Sequence, residues 1–316
     1  MSGLFDLRIL LADDLAFTDA FEAELRAKEP DVDLYRWPSL PDDGHFDVLL
    51  AWCLPDGLGR LPDSLAFVFC FGAGADQLLS DPRIPTRVPI ARLVDENQAA
   101  QIADYAAHVG FARLLDQVTV KEDQARALWS EADGPRRTRD QLRVAVLGLG
   151  HIGARVASEL ARLGFSVQGW SRSHKSVPGV ETFAGEDGLV TAVEAADVLI
   201  NLLPLTAETE DILSQKLFAR LSSGAYVANL GRGGHLDEAA LLGALESGRV
   251  GAAWLDAFRQ EPLAPDHRFW SHPRITITPH LAGIPTASGA ANSLADCIDA
   301  FRRGFPLPNL VRPGRI

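Results

Sequence analysis

Four polar side chains with the chemistry of acids, bases or anion ligands follow apolar runs in the second half of the sequence. They are Arg232 in NLGRGG, Asp256 and Glu261 in LDAFRQEP, and His280 in ITPHLAG. In an open parallel sheet the carboxyl ends of the strands face the ligand crevice. If these runs are neighbouring strands, one guanidinium, one or two carboxylates and one imidazole meet at one edge of the sheet.

Such a set of groups suits hydride transfer to a carbon that carries oxygen and adjoins a carboxylate. A guanidinium matches a carboxylate in a bidentate manner and also polarises the neighbouring carbonyl. An imidazole can donate the proton that the new alkoxide needs. A carboxylate on the other ring nitrogen fixes the tautomer and favours the charged imidazole. We therefore predict Arg232 as the substrate ligand, His280 as the acid and Glu261 as its partner, with Asp256 as the alternative partner.

Each of the four residues also has a purely structural interpretation, which the sequence leaves open. Arg232 could lie in a surface turn, Glu261 in an ordinary polar loop, His280 at a helix cap and Asp256 at a strand end. His151 is expected to start a helix. The sequence gives no comparable position to the other histidines, which are His45, His108, His174, His235, His267 and His272.

A predicted strand, a glycine-rich turn and an amphipathic helix follow one another in VAVLGLGHIGARVASELARLG. In a dinucleotide fingerprint Gly148 permits the tight turn, Gly150 lets the backbone approach a pyrophosphate, and Gly153 lets the helix lie close to the strand. The N–H groups at the start of the helix add a partial positive charge. The context therefore predicts a dinucleotide site rather than a structural glycine turn.

The end of the next predicted strand, SVQGW, indicates which dinucleotide binds. An NAD-binding unit has an acidic residue there, about 20 residues beyond the glycines, to bond the ribose 2′-hydroxyl. This chain has Ser171, followed by Arg172, Ser173 and Lys175. Hydroxyl groups and cations suit a 2′-phosphate, which a carboxylate would repel. We predict NADPH as the cofactor, with NADH as a weaker substitute; a solvated basic loop is the alternative.

The composition excludes several classes of protein. A chain of 316 residues with 47% hydrophobic and 23% charged residues is typical of a folded protein of two domains. The net charge of −12 argues against nucleic acid as a partner. Three cysteines, an odd number, favour free thiols in a reducing compartment, and no metal-binding spacing appears among them. Without a long apolar run or a signal peptide pattern, we expect a cytoplasmic protein with no membrane partner.

The pattern of apolar residues divides the chain into two α/β domains. The first hundred residues alternate short apolar runs with polar connectors, and a helix is predicted over Thr18 to Lys28. The stretch from Glu96 to Trp129 is interpreted as a long helix that either crosses between domains and offers a dimer surface or is simply buried. Regular strand and helix alternation follows, with Asp237 as a helix N-cap. We predict a substrate domain of residues 1–100 and 287–316 and a dinucleotide-binding domain of residues 101–286.

Five ordered motifs resemble the D-isomer-specific 2-hydroxyacid dehydrogenases over nearly the whole chain. They are GLGHIG, NLLPLTAETEDIL, NLGRGGHLDEAALLGAL, LDAFRQEPL and ITITPHLAG. Within that family, GWSRSHKSVPGV and FGAGADQLL are similar to the NADPH-using glyoxylate/hydroxypyruvate reductases of the bacterial A type. The resemblance implies two doubly wound parallel-sheet domains, a Rossmann cofactor domain and a flavodoxin-like substrate domain, commonly in a homodimer.

The resemblance also implies roles for particular residues. Arg232 would hold the substrate, His280 would be the acid/base and Glu261 would orient it, while the backbone of Gly72, Ala73, Gly74 and Ala75 would receive the substrate carboxylate beneath Trp52. The implied cofactor contacts are Gly148, Gly150, His151, Ile152, Gly153, Trp170, Ser171, Arg172, Ser173, Lys175, Leu203, Pro204, Thr209, Leu230, Gly231, Asp256 and His280.

The expected reaction is NADPH-dependent reduction of glyoxylate or hydroxypyruvate to glycolate or D-glycerate. Where relatives of the A type have further polar residues after the tryptophan, this chain has Cys53 and Leu54, so the preferred substrate side chain stays open. Two alternatives also stay open. One is a dehydrogenase for a bulkier 2-oxo acid or a phosphorylated substrate, and the other is a binding protein of the same fold that senses a dinucleotide.

Overall fold

The computed structural model describes residues 7–13, 17–131 and 137–314. The chain divides into two compact units, which we call the first unit (Met1–Gln98 with Pro285–Ile316) and the second unit (Ala99–Ile284). The chain passes between them after residues 98 and 284, where the sequence predicted boundaries after residues 100 and 286. Within the described residues, no helix is both long enough and apolar enough to cross a membrane.

Short strands alternate with helices along most of the chain. The strands are β1 (Leu7–Leu11), β2 (Val32–Arg36), β3 (Val48–Ala51), β4 (Phe67–Cys70), β5 (Ile90–Arg92), β6 (Arg143–Leu147), β7 (Ser166–Ser171), β8 (Glu181–Ala184), β9 (Val198–Asn201), β10 (Ala225–Asn229), β11 (Val250–Leu255), β12 (Ile275–Ile277) and β13 (Leu310–Arg312). The α-helices are α1 (Thr18–Lys28), α2 (Asp76–Ser80), α3 (Glu96–Leu114), α4 (Gln117–Ala125), α5 (His151–Arg162), α6 (Gly185–Val193), α7 (Gln215–Phe218), α8 (Glu238–Glu246) and α9 (Ala287–Arg302).

The first unit is built on a sheet of six strands in the order β13-β5-β4-β3-β1-β2. All pairs are parallel except β13 with β5. The central strands β3 and β4 are wholly apolar and buried, as expected when both faces of a parallel sheet are covered. Helices α1 and α9 pack on one face, where Phe21, Leu25, Leu294 and Ile298 join the core. The carboxyl ends of β3, β4 and β5 are therefore fixed side by side.

The second unit is built on a sheet of seven strands in the order β12-β11-β10-β9-β6-β7-β8. All of its described strand pairs are parallel. The strand order reverses beside β6, which pairs with β7 on one side and β9 on the other, and ligands bind at such switch points in open α/β sheets. Two parallel-dominated sheets in α/β units confirm the predicted fold class.

The long helix predicted from Glu96 to Trp129 is wrong as a single element. Helix α3 ends at Leu114, and Asp116 adopts a left-handed backbone conformation with φ of 50° before α4 begins. Aspartate tolerates this conformation better than most residues. A tertiary contact accompanies the break, because the Tyr226 hydroxyl donates to the Asp116 carboxylate over 3.3 Å. The apolar positions predicted on α3 are buried, namely Ile102, Ala106, Val109 and Ala112.

Candidate active site

The glycine-rich turn after β6 leaves the start of a long helix open. Gly148 has φ of 94°, and a Cβ there would lie 2.7 Å from the Leu202 carbonyl oxygen. A Cβ on Gly153 would lie 1.7 Å from the Gly148 oxygen, so both positions require glycine. Gly150, the N-cap of α5, has nothing within 4 Å of an added Cβ, and the first turn of α5 carries no acidic residue. These features fit a helix N-terminus approached by a phosphate group.

The end of β7 presents cations where an NAD site has a carboxylate. Ser171 is the last residue of the strand and is buried, and its hydroxyl donates to the Ser173 carbonyl oxygen over 2.7 Å. Arg172 and Lys175 are exposed beyond it. The indole of Trp170 is buried and donates to Gly185 over 2.8 Å, which fixes the strand end against α6. This arrangement fits a dinucleotide that carries a 2′-phosphate.

The loop after β9 contains three further predicted cofactor contacts, which are Leu203, Pro204 and Thr209. The backbone N–H of Leu203 donates to the Asn201 side chain over 3.3 Å. The Thr209 hydroxyl donates to the Pro204 carbonyl oxygen over 2.7 Å and accepts from the Thr206 N–H over 2.9 Å. Pro204 and Thr209 therefore form one closed loop that follows β9.

The structure brings His280 and Glu261 together in a hydrogen-bonded pair. His280 Nδ1 lies 2.9 Å from Glu261 Oε2, and the other carboxylate oxygen accepts from the Phe258 N–H over 2.8 Å. Burial by itself would raise the pKa of Glu261, but the hydrogen bonds from His280 and Phe258 outweigh it, so the pKa lies below its ordinary value. The two side chains are 35% and 39% exposed. An ionised Glu261 favours the protonated imidazole and orients its ring.

Asp256 holds the turn that carries His280. Its carboxylate accepts from the Thr278 hydroxyl over 2.6 Å, from Leu281 N over 2.8 Å and from Ala282 N over 3.0 Å. His280 itself has φ of 55°, with its N–H donating to Asp256 O over 3.0 Å. Asp256, which is 2% exposed, thus supports the backbone of the histidine. The imidazole is paired with Glu261, the first of the two acids considered from the sequence.

Arg232 begins the loop after β10, and this loop touches the loop that carries Glu261. An added Cβ on Gly233 would lie 1.8 Å from the Phe258 carbonyl carbon, so the two loops are in direct backbone contact. Burial raises the pKa of Glu261, and its hydrogen bonds lower it. The positive charge of Arg232 lowers it further, by a smaller amount than the hydrogen bonds. Because β10, β11 and β12 are adjacent strands, Arg232, Glu261 and His280 gather at one edge of the sheet.

Three buried polar residues near Arg232 were missed or left without a role by sequence reasoning. His235, Asn201 and Asn229 are each 0% exposed, and the Asn201 amide is hydrogen-bonded to both of the others. The sequence does carry a signal for two of them, because Asn201 and Asn229 end strands that are otherwise apolar. Nothing in the pattern around His235 indicates that it is buried.

In the first unit, the predicted substrate loop and the predicted aromatic residue are in contact. A Cβ added to Gly72 would lie 2.8 Å from the Trp52 ring. The N–H of Trp52 donates to the Asp13 carboxylate, whose pKa is raised to about 6 by burial despite the backbone hydrogen bonds from Trp52 and Cys53. Arg92, which the sequence analysis did not single out, donates to the Ala73 carbonyl oxygen over 2.9 Å from behind the loop.

The described residues contain no cluster of three or more histidine, cysteine, aspartate or glutamate side chains placed to hold a metal ion. The second unit does bring together an arginine, a histidine–carboxylate pair and a helix N-terminus. Together they suit anion binding, proton donation and dinucleotide binding.

Residues 106–282 match the family model of the D-isomer specific 2-hydroxyacid dehydrogenase, NAD binding domain. The glyoxylate/hydroxypyruvate reductase A of Yersinia enterocolitica is 37% identical over 294 residues, which are 91% of this chain and 92% of the relative. The one from Serratia proteamaculans is 39% identical over 289 residues, 89% of this chain and 91% of the relative.

Solved structures of the same family are similar over nearly the full length. A D-isomer specific 2-hydroxyacid dehydrogenase from Xanthobacter autotrophicus, in complex with NADPH and MES, superposes with a TM-score of 0.89 at 32% identity, covering 97% of this chain and 98% of that one. An NADPH-dependent glyoxylate/hydroxypyruvate reductase from Sinorhizobium meliloti, in complex with NADP and sulfate, gives 0.85 at 32%, covering 96% and 98%. This chain belongs to the D-isomer specific 2-hydroxyacid dehydrogenase family, and the family resemblance identified in its motifs is confirmed. It is an oxidoreductase.

Proposed function

We propose that this protein reduces glyoxylate and hydroxypyruvate to glycolate and D-glycerate with NADPH. The observation that carries the proposal is the 2.9 Å contact between His280 and Glu261 beside the loop of Arg232. The names of the reductase relatives and the bound NADPH or NADP in two solved structures support the substrates and the cofactor. Dehydrogenase chemistry on a 2-oxo acid requires the same set of groups.

The chain's own residues supply binding and the proton. The Arg232 guanidinium binds the substrate carboxylate and polarises the neighbouring carbonyl, which draws electron density onto the oxygen. When bound, a reduced nicotinamide supplies the hydride that adds to the carbonyl carbon. The alkoxide oxygen takes a proton from His280, and Glu261 stabilises the imidazolium beforehand through Nδ1. In the first unit, the loop of residues 72–75, against which the Trp52 ring lies, contributes to substrate selection.

The cofactor preference is proposed to come from the end of β7. The exposed Arg172 and Lys175 offer two cations, and Ser171 replaces the carboxylate that would repel a 2′-phosphate. The other predicted contacts complete the site, from Ile152 at the start of α5 to Leu230 and Gly231 after β10. NADH is expected to be used less well.

Steady-state kinetics with both cofactors and chiral analysis of the product test the proposal. We expect a higher kcat/KM with NADPH than with NADH, and D-glycerate from hydroxypyruvate. Arg172→Ala should cost about 1–3 kcal/mol with NADPH and little with NADH. Arg162→Ala, which removes an exposed arginine from the far end of α5, is the matched control and should leave the cofactor ratio unchanged.

Three outcomes would contradict the proposal. Equal or better use of NADH would show that the residues at the end of β7 do not select NADPH. A higher kcat/KM for a 2-oxo acid with a longer side chain would favour the dehydrogenase for bulkier substrates. NADPH binding without turnover of any 2-oxo acid would favour the dinucleotide-sensing protein.

We also propose a homodimer in the cytoplasm. Helix α4 and its flanks expose large apolar side chains, with Trp129 92% exposed and Leu115 and Val120 more than half exposed, which supports a protein contact there. Cys53, Cys70 and Cys297 are free thiols, which supports a reducing compartment. Light scattering on the wild type should give the mass of a dimer. Trp129→Ser, measured in the same way, should shift the mass towards that of a monomer. A monomeric wild type would contradict the proposal.

A further inference from the structure

Beneath the loop of Arg232 lies a buried polar group that we call the amide–histidine cluster, which consists of Asn201, Asn229 and His235. The Asn201 amide nitrogen donates to Asn229 Oδ1 over 2.9 Å and to His235 Nδ1 over 2.9 Å. All three residues are 0% exposed. Burial of this much polar surface is costly unless the hydrogen bonds that it makes are specific.

The cluster binds the backbone on both sides of the Arg232 side chain. The Arg232 N–H donates to His235 Nδ1 over 3.0 Å, and the Arg232 carbonyl oxygen accepts from Asn229 Nδ2 over 2.9 Å. The Gly231 N–H donates to Asn229 Oδ1 over 3.4 Å. The peptide groups before and after the Arg232 Cα are therefore both fixed, which sets the direction in which its side chain leaves the loop.

The tautomer of His235 follows from its neighbours. Both groups that face Nδ1, the Arg232 N–H and the Asn201 amide, are donors, so Nδ1 must be the unprotonated nitrogen. The ring proton is then on Nε2. His235 therefore acts here as a hydrogen-bond acceptor, unlike His280, whose Nδ1 faces a carboxylate.

The same cluster reaches the loop on the cofactor side. Asn201 Oδ1 accepts from the Leu203 N–H, in the loop that contains Pro204 and Thr209. Asn201 ends β9 and Asn229 ends β10, and these strands are adjacent and parallel. One connected set of hydrogen bonds thus joins the predicted cofactor loop to the predicted substrate arginine.

We propose that His235, held by Asn201, is a positioning residue for Arg232 and hence a determinant of how well the enzyme binds and polarises a 2-oxo acid. The inference rests on the proposed function of Arg232. Reacting groups must be held within narrow limits, and a displacement of about 1 Å can cost as much as 100-fold in rate. Fixing two peptide groups from beneath the loop is a direct way to meet that requirement.

Two substitutions of His235 separate positioning from packing. Asparagine places its amide oxygen where Nδ1 lies, so His235→Asn can still accept from the Arg232 N–H, although it leaves a cavity. Glutamine is closer to histidine in volume, but its amide oxygen falls near the place of Nε2. If His235 only fills space, the glutamine variant should be the better enzyme; if it positions Arg232, the asparagine variant should be.

We expect His235→Gln to lower kcat/KM for glyoxylate about 10- to 100-fold, with a raised KM and a lowered kcat, while the Kd for NADPH changes less than about threefold. His235→Asn should keep kcat/KM within about threefold of the wild type. His272→Gln is the matched control, since His272 Nδ1 also accepts a backbone N–H, that of Arg274 over 3.2 Å, at the opposite end of β12. It should leave kcat/KM unchanged.

A double-mutant cycle with Arg232→Ala shows whether the effect passes through the arginine. His235→Gln should cost less than about twofold in the Arg232→Ala background, because there is no guanidinium left to direct. The same 10- to 100-fold loss in both backgrounds would overturn the proposal, as would a glutamine variant that is more active than the asparagine variant. If His235→Gln does not fold, Asn201→Ser, which removes one of the two donors to His235 Nδ1, takes its place in the cycle.

The outcomes distinguish this inference from the proposed function. A wild type that binds NADPH but reduces no 2-oxo acid contradicts the proposed function. In that case the cycle is measured on the affinity for oxalate, a planar dianion that can occupy a carboxylate-binding arginine. A wild type that reduces glyoxylate, with additive effects of the two substitutions, contradicts only the positioning role of His235.

Discussion

The two units share one architecture but present different chemistry at the carboxyl ends of their strands. The second unit pairs the Glu261 carboxylate with an imidazole, and its pKa lies below the ordinary value despite burial. The first unit buries the Asp13 carboxylate against the N–H groups of Trp52 and Cys53, and its pKa rises to about 6. One carboxylate is arranged to stay charged beside a proton donor, and the other to anchor a loop. We therefore expect proton transfer to depend on the second unit and substrate selection on the first.

Removal of the proton donor should give the largest effect. His280→Ala should lower kcat for reduction about 1,000-fold at pH 7, because no other group at that strand edge supplies the proton. NADPH affinity, measured by fluorescence titration, should change little. His45→Ala in the first unit is the control and should have wild-type kinetics. Retention of more than a tenth of the wild-type kcat would show that His280 is not the proton donor and that proton transfer does not depend on this residue of the second unit.

The carboxylate partner should set the pH range of the reaction. We expect reduction to take its proton from the imidazole, whose Nδ1 lies 2.9 Å from the Glu261 carboxylate, so Glu261→Gln should move the alkaline limb of kcat/KM to lower pH. The loss of kcat/KM should reach about tenfold at alkaline pH and become small at acidic pH.

Glu210→Gln is the control for that experiment, since it removes the same charge from an exposed position in the second unit. It should leave the alkaline limb in place. An unchanged limb in Glu261→Gln would show that the carboxylate is not what keeps the imidazole charged, and Asp256 would be the next acid to test.

A substitution in the first unit should change substrate selection rather than chemistry. Trp52→Ala removes the ring that packs on Gly72 and should raise KM for glyoxylate about fivefold while kcat changes less than about twofold. Longer 2-oxo acids should gain relative to glyoxylate. Trp270→Ala, at a tryptophan of the second unit that is 53% exposed, serves as the control. If kcat of Trp52→Ala fell as far as that of His280→Ala, the expected difference between the two units would be contradicted.

The fold and the side chains that lie at the carboxyl ends of the strands could be predicted because local patterns encode them. The apolar runs show the periodicity of strands and helices, and polar residues mark their ends. The glycine spacing around Gly148 marks the turn between β6 and α5. Asp237 is the N-cap predicted for α8 and accepts from Ala240 N over 2.9 Å. Gly153, expected to bring a helix close to a strand, lies against the backbone of Gly148 as that role requires.

What could not be predicted depends on contacts distant in sequence. The break after α3 involves Tyr226, which lies more than a hundred residues away from Asp116, so no local signal marks it. His235 has no periodic pattern around it, and its hydrogen-bond partner Asn201 lies 34 residues away at the end of β9. Asp13 and Arg92 become neighbours of the Trp52 loop and the residue 72–75 loop only through the order of the strands.

The smallest effect should be on stability, at Asp13. The raised pKa means that the folded protein favours the protonated Asp13 carboxyl. The stabilisation that this carboxyl contributes is fully present below the ordinary pKa of 3.8 and is lost as the pH rises to about 6. Asp13→Asn keeps an acceptor for the Trp52 N–H without the buried charge. Its Tm should exceed that of the wild type by about 1–3 °C at pH 8 and match it near pH 4.

Asp31→Asn, at an exposed position of the same unit, is the control for the Asp13 experiment and should show no such pH-dependent difference. A lower Tm for Asp13→Asn at pH 8 would mean that the charge itself holds the loop. In that case both units would rely on ionised carboxylates, and the contrast between them would disappear.

The left-handed backbone at His280 gives this enzyme a conflict between folding and catalysis. A residue with a side chain pays about 1–2 kcal/mol to adopt that conformation, whereas glycine adopts it without strain. The hydrogen bonds of Asp256 to the surrounding turn offset this cost. A library of variants screened only for heat resistance should therefore accumulate glycine at position 280. Such a screen would select stable, inactive proteins unless turnover is measured in the same step.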